Sequence, residues 1–189
     1  DQIRYFLFRE VPFGNDGDFS KKAISQRINS DLSNNFGNLV QRISSFIVKN
    51  CNSQIKSNTN FNSEDNELIN FYKDKLKNYI IHMDNFNIDR AIKDVFEVLS
   101  ESNSYVDTQA PWNLKKNNIE RMNIVLFLVS NIIINSTVLL YPVMPESCVK
   151  ILKIFKLKIN NINITNFEGL LKKNVIVSNP TPIFPRIEL

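Results

Sequence analysis

Apolar residues recur in steps of three and four through Ile24, Ile28, Leu32, Phe36, Leu39, Ile43 and Phe46. That spacing predicts one long amphipathic helix ending near Asn50, with Ser20 as its N-cap. Ser63 is expected to cap a second helix, with its stripe at Leu68, Tyr72, Leu76, Tyr79, Ile80 and Met83. After the turn "DNFN" a third runs through Ile88, Ala91, Ile92, Val95 and Leu99, and "SNSYVDTQAPWN" reads as irregular. Residues 124–143, "IVLFLVSNIIINSTVLLYPV", are almost wholly apolar and approach the length of a membrane span. Ser130, Asn131, Asn135, Ser136 and Thr137 interrupt that run and Pro142 ends it. It therefore reads as a central helix buried on most sides. Pro145 opens a further helix, "PESCVKILKIF", since proline suits a first helical turn. A weaker amphipathic piece is expected around 164–171, and the tail "VIVSNPTPIFPRIEL" is proline-punctuated and extended.

Residues 1–19 carry a short apolar piece, "IRYFLF". Pro12, Gly14 and Gly17 then make the whole segment read as a connector. "CNSQIKSNTNFN" reads as a polar loop, and no window outside the tail alternates as a strand would. The predicted fold class is all-α. Four or five main helices with mostly short connections form a bundle over 20–189, ending in an extended C-terminal tail.

Composition narrows the chemistry. The chain has 189 residues, 43% hydrophobic and 22% charged, which suits a soluble domain with a real core. A formal net charge of +4 permits an anionic partner, but the charges form no block. Cys51 and Cys148 are far apart, which argues against a disulfide scaffold or zinc knuckle and fits a reducing, cytosolic setting. His82 is the single histidine, and the four glycines form no phosphate loop or dinucleotide fingerprint. With no initiator Met and no signal-peptide pattern, the chain reads as part of a longer protein. On these grounds alone it is a helical module with no evident active site.

One stretch stands out. In "NFGNLVQR" a Gly and several Asn sit in mid-helix, where Gly costs about 1 kcal/mol relative to Ala and Asn competes for the backbone. At roughly 100° per residue, Asn38, Arg42 and Lys49 fall within an arc about 40° wide at the edge of the apolar stripe.

Five landmarks carry a resemblance, in order, over nearly the full length: "DQIRYFLFREVPFGNDGDFS", "RINSDLSNNFGNLVQRISSFI", "DTQAPWNLKK", "LYPVMPESCVKIL" and "IFPRIE". The chain resembles the C-terminal part of the bacterial methionyl-tRNA synthetases, class I enzymes with a helical anticodon-binding bundle. The resemblance implies that Asn38 and Arg42 read a CAU anticodon together with Trp112, which Pro111 positions. Asp107 fits the same pattern, and Lys49 stands where a basic residue is expected. It implies tRNA(Met), elongator and initiator, as partner, along with a catalytic domain of the same chain, and no membrane. The parent would be a cytoplasmic ligase using ATP with Mg2+ and carrying a structural Zn2+. The HIGH and KMSKS signatures are absent here, so this part is not expected to catalyse alone.

The residue types suit the task. Arg offers a rigid fork of donors, Asn a donor and an acceptor, and Trp a large stacking face for an unpaired base. Lys115 and Lys116 suit phosphates. Plainer readings stand beside these. Trp112 could be a core anchor, Asn38 and Arg42 a solvated helix face, and His82 structural. "YPVMP" reads as a helix break, and "IFPRIE" as packing on the bundle or on the catalytic part rather than as an RNA motif. Gly37 would clear space for RNA or for a neighbouring helix. The alternatives to the functional reading are the helical domain of another class I synthetase, cysteinyl or leucyl, and a protein-interaction module with no RNA role.

Overall fold

The apolar run becomes the axis of the molecule. In a computed structural model describing residues 1–12, 14–17, 19–159 and 171–188, it lies within helix α7 (Ile119–Leu140). By length and apolarity α7 could cross a membrane, but 94% of its most apolar window is buried inside the bundle. Part of its polar interruption is bonded, while the Ser130 and Ser136 hydroxyls and Asn135 Nδ2 are buried without a hydrogen-bond partner among the described residues. Asn131 and Thr137 donate to Phe127 O and Ile133 O within the helix. Asn135 accepts from the Tyr72 hydroxyl at 2.5 Å, and Leu139 O accepts from the Tyr79 hydroxyl at 2.7 Å.

Those tyrosines come from α4 (Ser63–Asp84), which forms an antiparallel hairpin with α5 (Ile88–Gln109). The cap of α4 is Asn62 rather than Ser63. Asn62 and Asp65 form a reciprocal capping box, each side chain accepting the other's backbone N–H. At the far end of the hairpin, His82 Nδ1 lies 2.8 Å from Asp94 Oδ2, a structural role.

Two expected irregular segments are helical. Residues 1–19 are not simply a connector, because α1 spans Gln2–Glu10. Tyr5 and Phe6 are buried, and Tyr5 donates to Asp31 Oδ2 at 2.7 Å. Arg4 donates to Pro142 O and Val143 O, and Asp1 accepts from Ser147 N, so α1 is pinned to the corner between α7 and α8 (Pro145–Ile154). The "SNSYVDTQAPWN" segment is also helical. α5 continues to Gln109, driven by burial of Ser102, Tyr105 and Val106, and α6 (Pro111–Asn117) follows at once. The polar loop after Asn50 holds a short strand, β1 (Gln54–Ile55), paired antiparallel with β2 (Val175–Ile176) in the tail. Apart from Leu171, the amphipathic piece expected around 164–171 lies outside the described residues.

The first long helix is continuous but not uniform. α2 (Lys21–Arg27) passes into a π-helical segment (Ile28–Gly37) and then α3 (Asn38–Asn50). In α geometry each step of four overshoots a full turn by about 40°, so the steps Ile24–Ile28–Leu32–Phe36 would carry the apolar stripe around the helix. The wider i→i+5 turn offsets that drift, and Ile28, Leu32 and Phe36 all stay buried. Gly37 closes this segment. A Cβ there would lie 2.8 Å from Leu32 O and 3.2 Å from Phe184 Cδ2. The space that Gly37 clears is therefore taken by its own widened turn and by the C-terminal tail, not by RNA or a neighbouring helix. The tail lies along this surface. The Phe184 ring stacks 5.9 Å from that of Phe36, and Asn29 exchanges hydrogen bonds with the backbone of Ile187.

Gly37→Ala therefore lowers stability, by about 1–3 kcal/mol, instead of giving the usual helix-interior gain. Urea denaturation of the two chains checks this, and a variant as stable as wild type would contradict the packing described.

Candidate functional site

α3 is regular from Asn38, so Arg42 stands one turn beyond Asn38 on the same edge. Across the groove, the last turns of α5 present Asp107, and Arg42 Nη2 donates to Asp107 Oδ1 at 2.6 Å. Asn35 and Asn103 continue the polar seam, Asn103 Nδ2 donating to Asn35 Oδ1 at 2.8 Å. After Gln109 the chain turns through Ala110 in the left-handed region, at φ 45° and ψ 64°. A non-glycine residue there costs about 1–2 kcal/mol, a strain that the surroundings must hold. Pro111, buried, then starts α6 with its fixed φ. This corner throws Trp112 outward. Its side chain is 42% exposed, with the Arg42 guanidinium carbon 5.8 Å from the ring centroid.

Four of the predicted site residues, Arg42, Asp107, Pro111 and Trp112, thus converge on one exposed corner although they come from α3, α5 and α6. The Arg42–Asp107 pair is solvent-exposed and contributes at most about 1 kcal/mol, so it orients the guanidinium without locking it. Asn38 faces a different partner. It lines a pocket of about 420 Å³ with Asn34, Gln41, Gly37, Phe184 and Arg186. Arg186 donates to Asn34 Oδ1 at 2.7 Å, so the "IFPRIE" tail contributes a cation beside Asn38. From sequence alone that motif is expected only to pack, as Phe184 and Ile187 do. Lys49 sits in the last turn of α3, about 10 Å along the axis from Arg42 and apart from the corner.

What holds the corner is buried beneath it. Asp65, fully buried at the start of α4, receives both Nη groups of Arg121 from α7, at 2.6 and 2.8 Å. The Tyr105 hydroxyl of α5 donates to the same carboxylate. Arg121 also donates to Gln109 Oε1, directly before Ala110. Burial pushes the Asp65 carboxyl up, but the hydrogen bonds from Arg121, Tyr105 and the Asn62 amide outweigh it and hold the group below its ordinary range. Burial first, and then the bond to Asp65, drives the Tyr105 phenol well above its usual value, so it stays a donor. Among the described residues no group of three or more His, Cys, Asp and Glu could hold a metal.

The family model for the "Anticodon binding domain of methionyl tRNA ligase" matches residues 55–188. The chain belongs to this family. A second model, "tRNA synthetases class I (M)", matches residues 1–44. Methionine–tRNA ligase of Rhizobium meliloti is 36% identical over 98% of the chain and 36% of its own length. That of Helicobacter pylori is 35% identical over the whole chain and 29% of its own length. The crystal structure of apo Mycobacterium tuberculosis methionyl-tRNA synthetase superimposes with a TM-score of 0.92 at 34% identity, covering the whole chain and 39% of that protein. The chain thus spans about a third of the length of the ligases it matches. The all-α bundle expected for this family is the fold observed.

Because the folded-state pKa of Asp65 is depressed, its stabilisation is present above the unfolded carboxylate value of about 3.9 and is lost as pH falls through the folded value. Asp65→Asn is expected to cost about 3 kcal/mol in urea unfolding at pH 7, with the difference from wild type shrinking steadily below pH ~4. A pH-independent difference would show that the charge of Asp65 is not what stabilises the network.

Proposed function

We propose that this chain is the anticodon-reading part of a cytoplasmic methionine–tRNA ligase that joins methionine to tRNA(Met), elongator and initiator. Residues 1–19 lead in from the preceding catalytic part, and 20–189 form the recognition bundle. The observation that carries the reading is the exposed corner of Arg42, Asp107 and Trp112, built on the family's anticodon-binding fold. A single-stranded loop offers base faces and edges, and both have counterparts here. The exposed Trp112 ring takes a base by stacking, worth about 1–3 kcal/mol. Arg42 turns its donors from Asp107 to the acceptors O2 and N3 of cytosine. Asn38 supplies a paired donor and acceptor one turn away, and Arg186 brings positive charge to the same pocket. Pro111 and the strained Ala110 set the direction of Trp112.

The catalytic chemistry belongs to the rest of the ligase. Methionyl-adenylate is bound by the Mycobacterium tuberculosis relative in its solved complexes. We place ATP with Mg2+, and a structural Zn2+, in that part of the parent. The bundle contributes binding energy at a distance. Engaging the CAU loop positions the acceptor end of the tRNA for aminoacylation.

In the full-length ligase, Trp112→Ala and Arg42→Ala each lower kcat/KM for CAU tRNA at least tenfold, while adenylate formation measured by pyrophosphate exchange stays unchanged. If both variants charge that tRNA within a few-fold of wild type, the site assignment fails.

A further inference from the structure

α5 ends and α6 begins on one residue, Ala110. The direction of α6, and of Trp112 on it, therefore depends on the left-handed dihedrals of that residue and on what holds its neighbours. The downstream side is secured within α6. The amides of Asn113 and Leu114 donate to Ala110 O at 2.8 and 3.2 Å, and Pro111 is buried. The upstream side ends on Gln109, which is half-buried.

The Gln109 amide is engaged at both ends. Its Oε1 accepts from Arg121 Nε and Nη2 at 3.2 and 2.6 Å, and its Nε2 donates to Glu64 Oε2 at 2.6 Å. A guanidinium only donates and an ionised carboxylate only accepts, so one orientation of the amide satisfies both neighbours. The side chain thereby ties the end of α5 to the first turns of α7 and α4. It also closes residues 110–120, which contain all of α6, into a short loop pinned between Gln109 and Arg121. The tie is separable from the buried charge beneath it. Without the Gln109 amide, Asp65 still receives both Nη groups of Arg121, the Tyr105 hydroxyl and the Asn62 amide.

We infer that Gln109 is a positioning residue for anticodon reading: its two-ended amide clasp holds the Ala110 turn so that Trp112 is presented beside Arg42. This rests on the RNA reading of that corner. Gln109 acts through the turn and not by touching RNA. Its side chain lines the groove between α4 and α5 beside Glu64, Glu67 and Glu101, whose charges repel phosphate.

The test is charging of CAU tRNA by the full-length ligase, with pyrophosphate exchange reporting the catalytic part. Q109A raises KM for the tRNA about five- to tenfold and leaves pyrophosphate exchange unchanged. W112A lowers kcat/KM at least tenfold, and Q109A/W112A stays within about twofold of W112A, because the first change acts through the second residue. Q109E sets a second carboxylate against Glu64 and is impaired like Q109A. E64Q/Q109E restores charging, because amide and carboxylate have exchanged places while Arg121 keeps its acceptor. That restoration decides the matter even where Q109A lowers stability. If W112A impairs charging but Q109A does not, or if the two losses multiply in the double variant, the positioning role is overturned and the reading corner stands. If E64Q/Q109E stays as poor as Q109E, the two bonds of the amide are not what matters and the inference is wrong. If W112A charges like wild type, the RNA reading of the corner fails and the positioning role fails with it.

Discussion

The buried carboxylate of Asp65 is the constraint on which the working end of this bundle depends. A charge with no exposed surface is tolerable only if its oxygens are fully engaged. Here Arg121 grips both oxygens, Tyr105 donates a third bond and the Asn62 amide a fourth. Those partners start α7, end α5 and cap α4, so one carboxylate ties three helix ends together. Through Gln109 the same network reaches the residue before Ala110. The left-handed Ala110 is unfavourable by itself, and it persists because the helices on either side of it are held. Pro111 and Trp112 inherit their position from that arrangement.

The opposite end of the bundle is secured by different means. Arg4 and Asp1 bond the backbone at the α7–α8 corner, where "YPVMP" breaks the helix. α1 leaves Ile3, Leu7 and Phe8 partly exposed on its outer side. Between the two ends, α7 supplies an apolar core in which Asn131 and Thr137 bond within the helix and Asn135 accepts from Tyr72 of α4. The corner can therefore carry an exposed Trp and a loosely held Arg without endangering the fold.

Periodicity made most of this architecture legible, and the errors have physical reasons. α1 was missed because Pro12, Gly14 and Gly17 dominate the reading of its neighbourhood, although Tyr5 and Phe6 pack fully. The end of α5 was missed because Ser100, Glu101, Ser102, Asn103 and Ser104 look like loop residues. Their helix is held from the inside by Tyr105 and Val106. The π-helical segment was written in three successive steps of four, a spacing that a straight α-helix cannot keep on one face. Asn62 was overlooked as the cap because Ser63 beside it is an equally good capping residue.

The site was legible in part. Asn38 and Arg42 could be placed side by side from helical geometry alone. Their use came only from family resemblance, because nothing in composition marks the pair. The contacts of Arg42 with Asp107 and Trp112 span 65 and 70 residues of sequence, beyond any local pattern. Arg186 was hidden for the same reason, since its place beside Asn38 depends on how the tail lies across Gly37.

Trp112 is the one tryptophan in the chain, so its fluorescence reports the proposed reading corner without any label. Titration with a CAU stem-loop should quench Trp112 emission saturably, at the same midpoint as binding followed by anisotropy of the RNA, and a loop-altered hairpin should leave the emission unchanged. Binding of the CAU hairpin with no change in Trp112 emission would contradict the account.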